Sequence, residues 1–377
     1  MTTYDVIVAG GGTMGTAAAW ALAKHGLKPV VLEQFHHVHD KGAHGGETRI
    51  IRHAYAESAD YVPLVRRADQ LWLELEDIIN QQVLVRTGGL ELSAPGFDHA
   101  HAARRAADEY GLPYEWLTPA EANARWAGLT VPEDWCVMHS PNSGFLLTES
   151  ALRGMADAAK RLGATFVEHA PVTAWGADSQ STWVETPVGG FDGEALIVTA
   201  GAWSGRVLAE LGLPLEIRRK TLWWQELADP EPYRPDRFPV FISDSSHGEI
   251  YGFPVHGVPA LKIANHSGGE PVDPDTVDRA THPGENAPCL SLAAELLPGV
   301  RSEVVKSAVC LYAVTPDHDF IVDRHPEFSR VVLGAGFSGH GFKFAPAIGE
   351  VLANLALEAD FSPVPRLALG RFSPAVA

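Results

Sequence analysis

The sequence predicts an α/β protein made of two domains, one with a parallel sheet and one mainly antiparallel. Three observations predict it. The chain opens strand–helix–strand around a glycine-rich turn, its middle is a series of short strands broken by Pro and Gly, and βα character returns after residue 310. A parallel-type beginning and end around an antiparallel middle implies domains assembled from non-contiguous segments.

The elements follow in order. "YDVIVAG" is a short apolar strand, "TMGTAAAWALAKHG" an alanine-rich helix closed by Gly26, and "KPVVLEQ" a second strand. Parallel strands joined by a helix imply a sheet covered on both faces. A helix is expected over about 61–80, with Leu64, Ala68, Leu71, Leu75 and Ile78 on one face. Helical patterns recur at 98–110, 118–125 and 148–162. Three strand-like runs lie between about 165 and 200 and end in "GEALIVTAGAWS". From 216 to 265, "RKTLWWQEL", "PVFIS", "EIYGFPV" and "ALKIANH" read as antiparallel strands. The last elements are "DFIVDRHP", "RVVLGAG" and the helix "APAIGEVLANLALEA".

Composition narrows the function. The 377 residues are 46% hydrophobic and 20% charged, as in an ordinary globular enzyme. No window approaches 18 uninterrupted apolar residues, so no membrane-spanning helix is expected. The N-terminus enters a strand directly, without a basic region or a cleavage site. Three cysteines, Cys136, Cys289 and Cys310, form no C-x-x-C pair, which points to the cytoplasm. With 47 acids against 29 bases the net charge is −18, which argues against nucleic acid and anionic membranes as partners. An anionic substrate would need local arginines and lysines. The histidines of "FHHVHDKGAH" (His36, His37, His39 and His44) are close to the number a metal needs. They follow an acid placed for a nucleotide ribose, however, and no metal is expected.

"GGGTMG" supplies G-x-G-x-x-G as Gly10, Gly12 and Gly15, set between strand and helix. Glycines allow a tight turn and close approach of backbone N–H groups to a pyrophosphate. The helix N-terminus adds partial positive charge. Glu33 stands at the end of the second strand, where an acid would bind the ribose hydroxyls. FAD and NAD share this Rossmann-like turn. Two further strand-to-glycine turns, at 196–204 and 331–350, favour FAD, which must be enclosed along its length. Pro346 fits the first turn of the last helix, whose N-terminus could stabilise a negative charge.

"GGETRIIRHAY" (45–55), "YGFP" (251–254), "SAVCLYAVT" (307–315) and "GFSGHGFKF" (336–344), in that order and spacing, resemble the monomeric sarcosine oxidase and N-methyltryptophan oxidase family of flavoprotein amine oxidases. The resemblance extends over nearly the whole chain. It implies a glutathione-reductase-type FAD domain (1–87, 147–215 and 311–377) and a catalytic domain (88–146 and 216–310). The implied substrates are a small secondary amino acid and O2, and the implied state is a monomer. The C–N bond is oxidised, the imine hydrolyses, and hydrogen peroxide is formed. The family joins FAD covalently to a cysteine, which here is Cys310. Cys136 and Cys289 lie outside the matching segments.

The resemblance also implies site roles. The positions of Arg52 and Lys343 hold the substrate carboxylate, and those of Thr48 and Arg49 lie beside the flavin, as do the turn glycines Gly336, Gly339 and Gly341. Tyr251, His266 and Tyr312 line the substrate pocket. Lys262 assists oxygen reduction, although by itself a lysine between apolar strand residues reads as snorkelling to solvent. Cys310 and Tyr312, two apart on a strand, share a face. Ile242 replaces the methionine usual in sarcosine oxidases, and its neighbours "DSSHGEI" also depart from the family. A bulkier N-methyl amino acid or a cyclic imino acid such as pipecolate is therefore a credible substrate. Two other classes remain open: a flavin dehydrogenase using another electron acceptor, and a non-enzymatic FAD-binding subunit.

Overall fold

Alternation along the first strand sets the two faces of the parallel sheet. In the computed structural model, which describes residues 2–358, 360–362 and 364–372, Val6 and Val8 face one layer and Ile7 and Ala9 the other. The strands Thr2–Ala9, Val30–Leu32, Thr165–Val167, Gly189–Val198 and Val331–Ala335 pair in parallel. Helices Thr13–Lys24, Val62–Ile79, Thr148–Arg161 and Ala345–Leu357 cover the Val6 face. The other face is covered by the antiparallel strands Ala174–Ala177 and Thr182–Thr186, which pair onward to Gly189–Val198. Ile321–Arg324 adds antiparallel to Val331–Ala335. The span 165–200 therefore holds four strands rather than three.

The first and last helices cross closely because both are built from small residues. A Cβ on Gly349 would lie 2.6 Å from the backbone carbon of Ala17. Pro346 sits in the first turn of its helix, where its missing N–H leaves no bond unmade. The helix Val62–Ile79 turns differently from expectation. Val65, Ala68, Leu71, Trp72 and Leu75 are buried, whereas Ile78 is 42% exposed. The 3.6-residue period carries the buried stripe away from Ile78 by the last turn.

The second sheet has nine strands. One edge is the long antiparallel pair Val300–Val314 and Glu216–Leu227, and Ala260–Asn265, Gly248–Phe253 and Val240–Ser245 follow in antiparallel order. Val240–Ser245 then pairs in parallel with Gly89–Ser93, an exception to the antiparallel expectation. The two strands belong to separate excursions of the chain, and so need no tight turn between them. Helix Ala287–Leu296, in a stretch where the pattern above names no element, packs Leu292 and Leu296 against Ile250, Leu261 and Ile263. A small third sheet joins Thr48–Ile51, Gly144–Leu147 and Leu84–Arg86. Two expected domain divisions fall inside strands. Val300–Val314 runs unbroken through 310/311, and Gly144–Leu147 through 146/147, because ladder hydrogen bonds continue across both points.

Candidate active site

The glycine turn is shaped by contacts that only glycine permits. Gly10 has φ +106°, and a Cβ on Gly15 would lie 1.9 Å from the Gly10 carbonyl oxygen. A Cβ on Gly12 would meet no atom within 4 Å, so this turn leaves open room at the start of helix Thr13–Lys24. Gly10 and Gly12 border a large cavity that runs past Glu33, Thr199 and the 334–342 turn to Arg49 and Tyr312. Glu33 is buried; it accepts the Gly11 and Phe35 N–H groups at 2.9 Å each, and His39 Nε2 lies 3.4 Å away. Burial pushes its carboxyl up, but the His39 contact and these N–H groups outweigh that and hold it below the usual carboxylate range. His44, also on this cavity, has a buried Nε2 without a partner among the described residues. The remaining predicted glycines, Gly336, Gly339 and Gly341, border the same space, with Gly336 at φ +61° and Gly339 at φ +82°. A Cβ on Gly339 would lie 2.1 Å from the Tyr312 ring. A long cavity with a glycine cradle, a helix N-terminus, an ionised acid and an orphaned imidazole nitrogen fits a dinucleotide such as FAD.

A smaller cavity adjoins it. Arg49, Tyr312, Gly339 and Phe342 line both. The smaller one is also bordered by Arg52, Lys343, Tyr251, His266 and Ile242, which gathers most of the predicted substrate-side residues into one space. The sheet register explains part of this. Ile242 is paired with Tyr251, Tyr251 with Ala264, and Lys220 with Cys310 two residues before Tyr312, so these side chains project from one face. The Tyr251 and Tyr312 hydroxyls are 3.5 Å apart.

The cations differ in how they are held. Arg49 donates to the carbonyls of Thr48, Ala43 and Gly45 at 2.7, 2.5 and 2.6 Å. Arg52 is buried and donates through Nη2 to both carboxylate oxygens of Glu57 at 2.6 Å, while its Nε finds no partner among the described residues. Lys343 Nζ donates to the His340 carbonyl at 3.0 Å and to the Tyr55 hydroxyl at 3.4 Å. Burial, with Arg52 nearby, lowers its pKa to about 7. Burial likewise lowers His266 to about 3, so this imidazole is neutral, and raises Tyr251 to about 12.

Lys262 borders neither cavity. It is 2% exposed and lies behind Thr48, donating to Gly46 O, Thr48 O and Thr48 Oγ1 at 2.6, 2.8 and 2.9 Å. The snorkelling expectation fails because three acceptors inside the protein replace water. Cys310 is also buried. Burial raises its thiol pKa, and Arg49, Lys262 and Lys220 pull against that rise. Its neighbours Leu311, Tyr312 and Ala313, rather than Cys310 itself, border the larger cavity. Sequence reasoning missed Glu57 and Glu249, both on the smaller cavity. Glu57 stands five residues after Arg52, and Glu249 lies within the "SHGEI" stretch that departs from the family.

Fold and cavity together define an FAD-dependent flavoenzyme. The sequence profile described as FAD dependent oxidoreductase matches residues 5–355, and the chain belongs to this family. It is 40% identical over 363 residues to the monomeric sarcosine oxidase of Bacillus sp. strain B-0618, covering 94% of this chain and 93% of that one. It is 34% identical over 356 residues to the N-methyl-L-tryptophan oxidase of Yersinia pestis strain Pestoides F, covering 94% and 95%. Among solved structures, NikD, an unusual amino acid oxidase, superposes with a TM-score of 0.85 at 22% identity, covering 98% of this chain and 98% of that one. Glycine oxidase from Geobacillus kaustophilus gives 0.80 at 24% identity, covering 98% and 99%. At these identities the two structures speak for the fold alone.

Proposed function

We propose that the chain is an oxidase of a secondary amino acid, sarcosine or a related N-methyl or cyclic amino acid, that forms an imine and hydrogen peroxide. The observation that carries this reading is the shared wall. A cavity with Arg52 and Lys343 abuts the FAD-sized cavity through Arg49, Tyr312, Gly339 and Phe342. Arg52 and Lys343 bind the substrate carboxylate, a planar guanidinium and an ammonium on one anion. The cations also disfavour the protonated substrate amine, as does desolvation, so the lone pair needed for C–H cleavage is available without a strong base. Neutral His266, with Tyr251 and Tyr312, orients the amine without adding charge. FAD, when bound, supplies the hydride acceptor that O2 reoxidises. Thr48 and Arg49 lie beside it, Lys262 behind Thr48 supplies fixed positive charge for oxygen reduction, and Cys310 is its covalent anchor. Glu33 and the glycines Gly10, Gly12, Gly15, Gly336, Gly339 and Gly341 hold its remaining length. The relatives' names support sarcosine and N-methyl-L-tryptophan as substrate types and a monomeric state. We place the enzyme in the cytoplasm; no helix among the described residues is long and apolar enough to cross a membrane.

A peroxide assay across sarcosine, N-methyltryptophan, pipecolate, proline and glycated amino acids tests the reading. Peroxide from at least one of them is expected. Turnover without peroxide in air would indicate a dehydrogenase, and no anaerobic flavin bleaching by any of them a non-enzymatic subunit. Acid precipitation tests the anchor: the yellow colour stays with the protein if Cys310 is bonded, and free flavin in the supernatant refutes the bond.

A further inference from the structure

Four carboxylates stand on or just behind the wall of the smaller cavity, and three already have partners. Glu57 is bonded to Arg52. Glu91, paired in register with Ile242, is bonded to His99 Nε2 at 2.6 Å. Asp244 accepts Ser93 Oγ at 2.5 Å and the His99 N–H at 2.9 Å. The fourth, Glu249, borders the cavity directly, yet among the described residues its carboxylate accepts no hydrogen bond and forms no ion pair. Burial pushes its carboxyl above the usual range, with His99 and Arg52 pulling the other way and Glu57 adding to the rise. An unpartnered carboxylate in a half-buried wall carries a desolvation cost that a ligand cation or donor would relieve.

Its position suggests which part of a ligand does so. Phe253, Tyr251 and Glu249 alternate along one face of strand Gly248–Phe253, and Phe253 is paired with Lys262. Moving from Phe253 to Glu249 leads away from the Lys262 end, and Glu249 stands about 6.6 Å beyond Tyr251 at the usual strand rise. An extended four-carbon side chain spans that distance. Ile242 and the Tyr251 ring provide apolar surface for such a stem. The charges agree. Arg52 is ion-paired with Glu57 through Nη2, and Arg49 and Lys343 are held by neutral acceptors, which leaves Glu249 as the carboxylate on this cavity without a charged partner among the described residues.

We propose that Glu249 sets the substrate class: the secondary amino acid oxidised here carries a cationic side chain, as in an Nα-methylated lysine or ornithine, whose ammonium pairs with Glu249. The inference rests on the amine-oxidase reading and adds the side chain to it. The test compares kcat/KM for Nα-methyl-L-lysine and Nα-methyl-L-norleucine, which differ in the terminal charged group, using the flavin-loaded enzyme. A preference of about tenfold or more for the lysine derivative is expected, the effect of one charge-assisted contact. In Glu249→Gln and Glu249→Leu the preference should fall to within about threefold. The ratio is the readout, so a general loss of rate does not imitate the result. No preference in the unaltered enzyme, or a preference that survives both substitutions, overturns the proposal. Should no secondary amino acid bleach the flavin, the amine-oxidase reading fails. The same two compounds are then compared by titrating the flavin absorption spectrum. Tighter binding of the lysine derivative, lost in Glu249→Gln, supports the Glu249 assignment, and equal binding overturns it.

Discussion

Burial turns Lys343 from an ordinary lysine into an ammonium that titrates near neutrality, at about 7. A depressed lysine is charged below its pKa and neutral above it, so carboxylate capture weakens as pH rises through about 7. The Kd of acetate, read from the flavin spectrum, should therefore rise about tenfold between pH 6 and pH 8. Lys343→Met should bind acetate more weakly and lose that dependence; an unchanged profile would remove Lys343 from the carboxylate site. Lys262 makes a different case. Its ammonium satisfies Gly46 O, Thr48 O and Thr48 Oγ1, so Lys262→Met leaves buried acceptors unpaired and removes a fixed charge at once. Rapid mixing should show oxygen reoxidation slowed by orders of magnitude while anaerobic reduction by substrate changes much less. Intact oxygen reactivity would end the assignment. Residue types and order pointed to both lysines, but their burial was not legible. Three internal carbonyl and hydroxyl acceptors keep Lys262 inside, and these meet it only across a gap of some two hundred residues.

At the scale of elements, the glycine turn depends on how closely its helix packs. Helices Thr13–Lys24 and Ala345–Leu357 touch at Ala17 and Gly349, where a Cβ would already lie 2.6 Å from backbone. Gly349→Val should destabilise the fold by about 1–3 kcal/mol through overpacking and lower its thermal midpoint. It should also weaken FAD retention, since the same helix begins at Gly12 on the cofactor cavity; an unchanged midpoint would mean that the helices can separate freely. The helices and most strands were legible from their periods. Ile78 was not, because a helix's buried stripe drifts and the neighbours choose which residues it covers. Nor was the parallel pairing of Val240–Ser245 with Gly89–Ser93, which no local pattern encodes.

Across the whole molecule, a net charge of −18 opposes a cavity that offers Arg52 and Lys343 to an anion. The repulsion is long-range and screened by salt, whereas the cationic contacts act at close range. Association of acetate should therefore speed up as ionic strength rises from about 0.01 to 0.15 M, over which the Debye length shrinks from about 30 to 8 Å. Stopped-flow mixing at several salt concentrations would show it, and a rate that falls with salt would mean that the local cations dominate the approach. Resemblance to the family supplied most residues of the smaller cavity; the chain's own pattern determined the α/β class, the dinucleotide turn at Gly10, Gly12 and Gly15 and the flavin reading. These depend on spacing along one strand or one turn, which the chain writes directly. The tertiary structure alone decided that Glu57 pairs with Arg52 through Nη2, that Lys262 is buried behind Thr48, and that the Glu249 carboxylate faces the cavity without a partner among the described residues. Each of these is a relation between side chains that folding brings together, and its charge balance depends on burial, which spacing does not record.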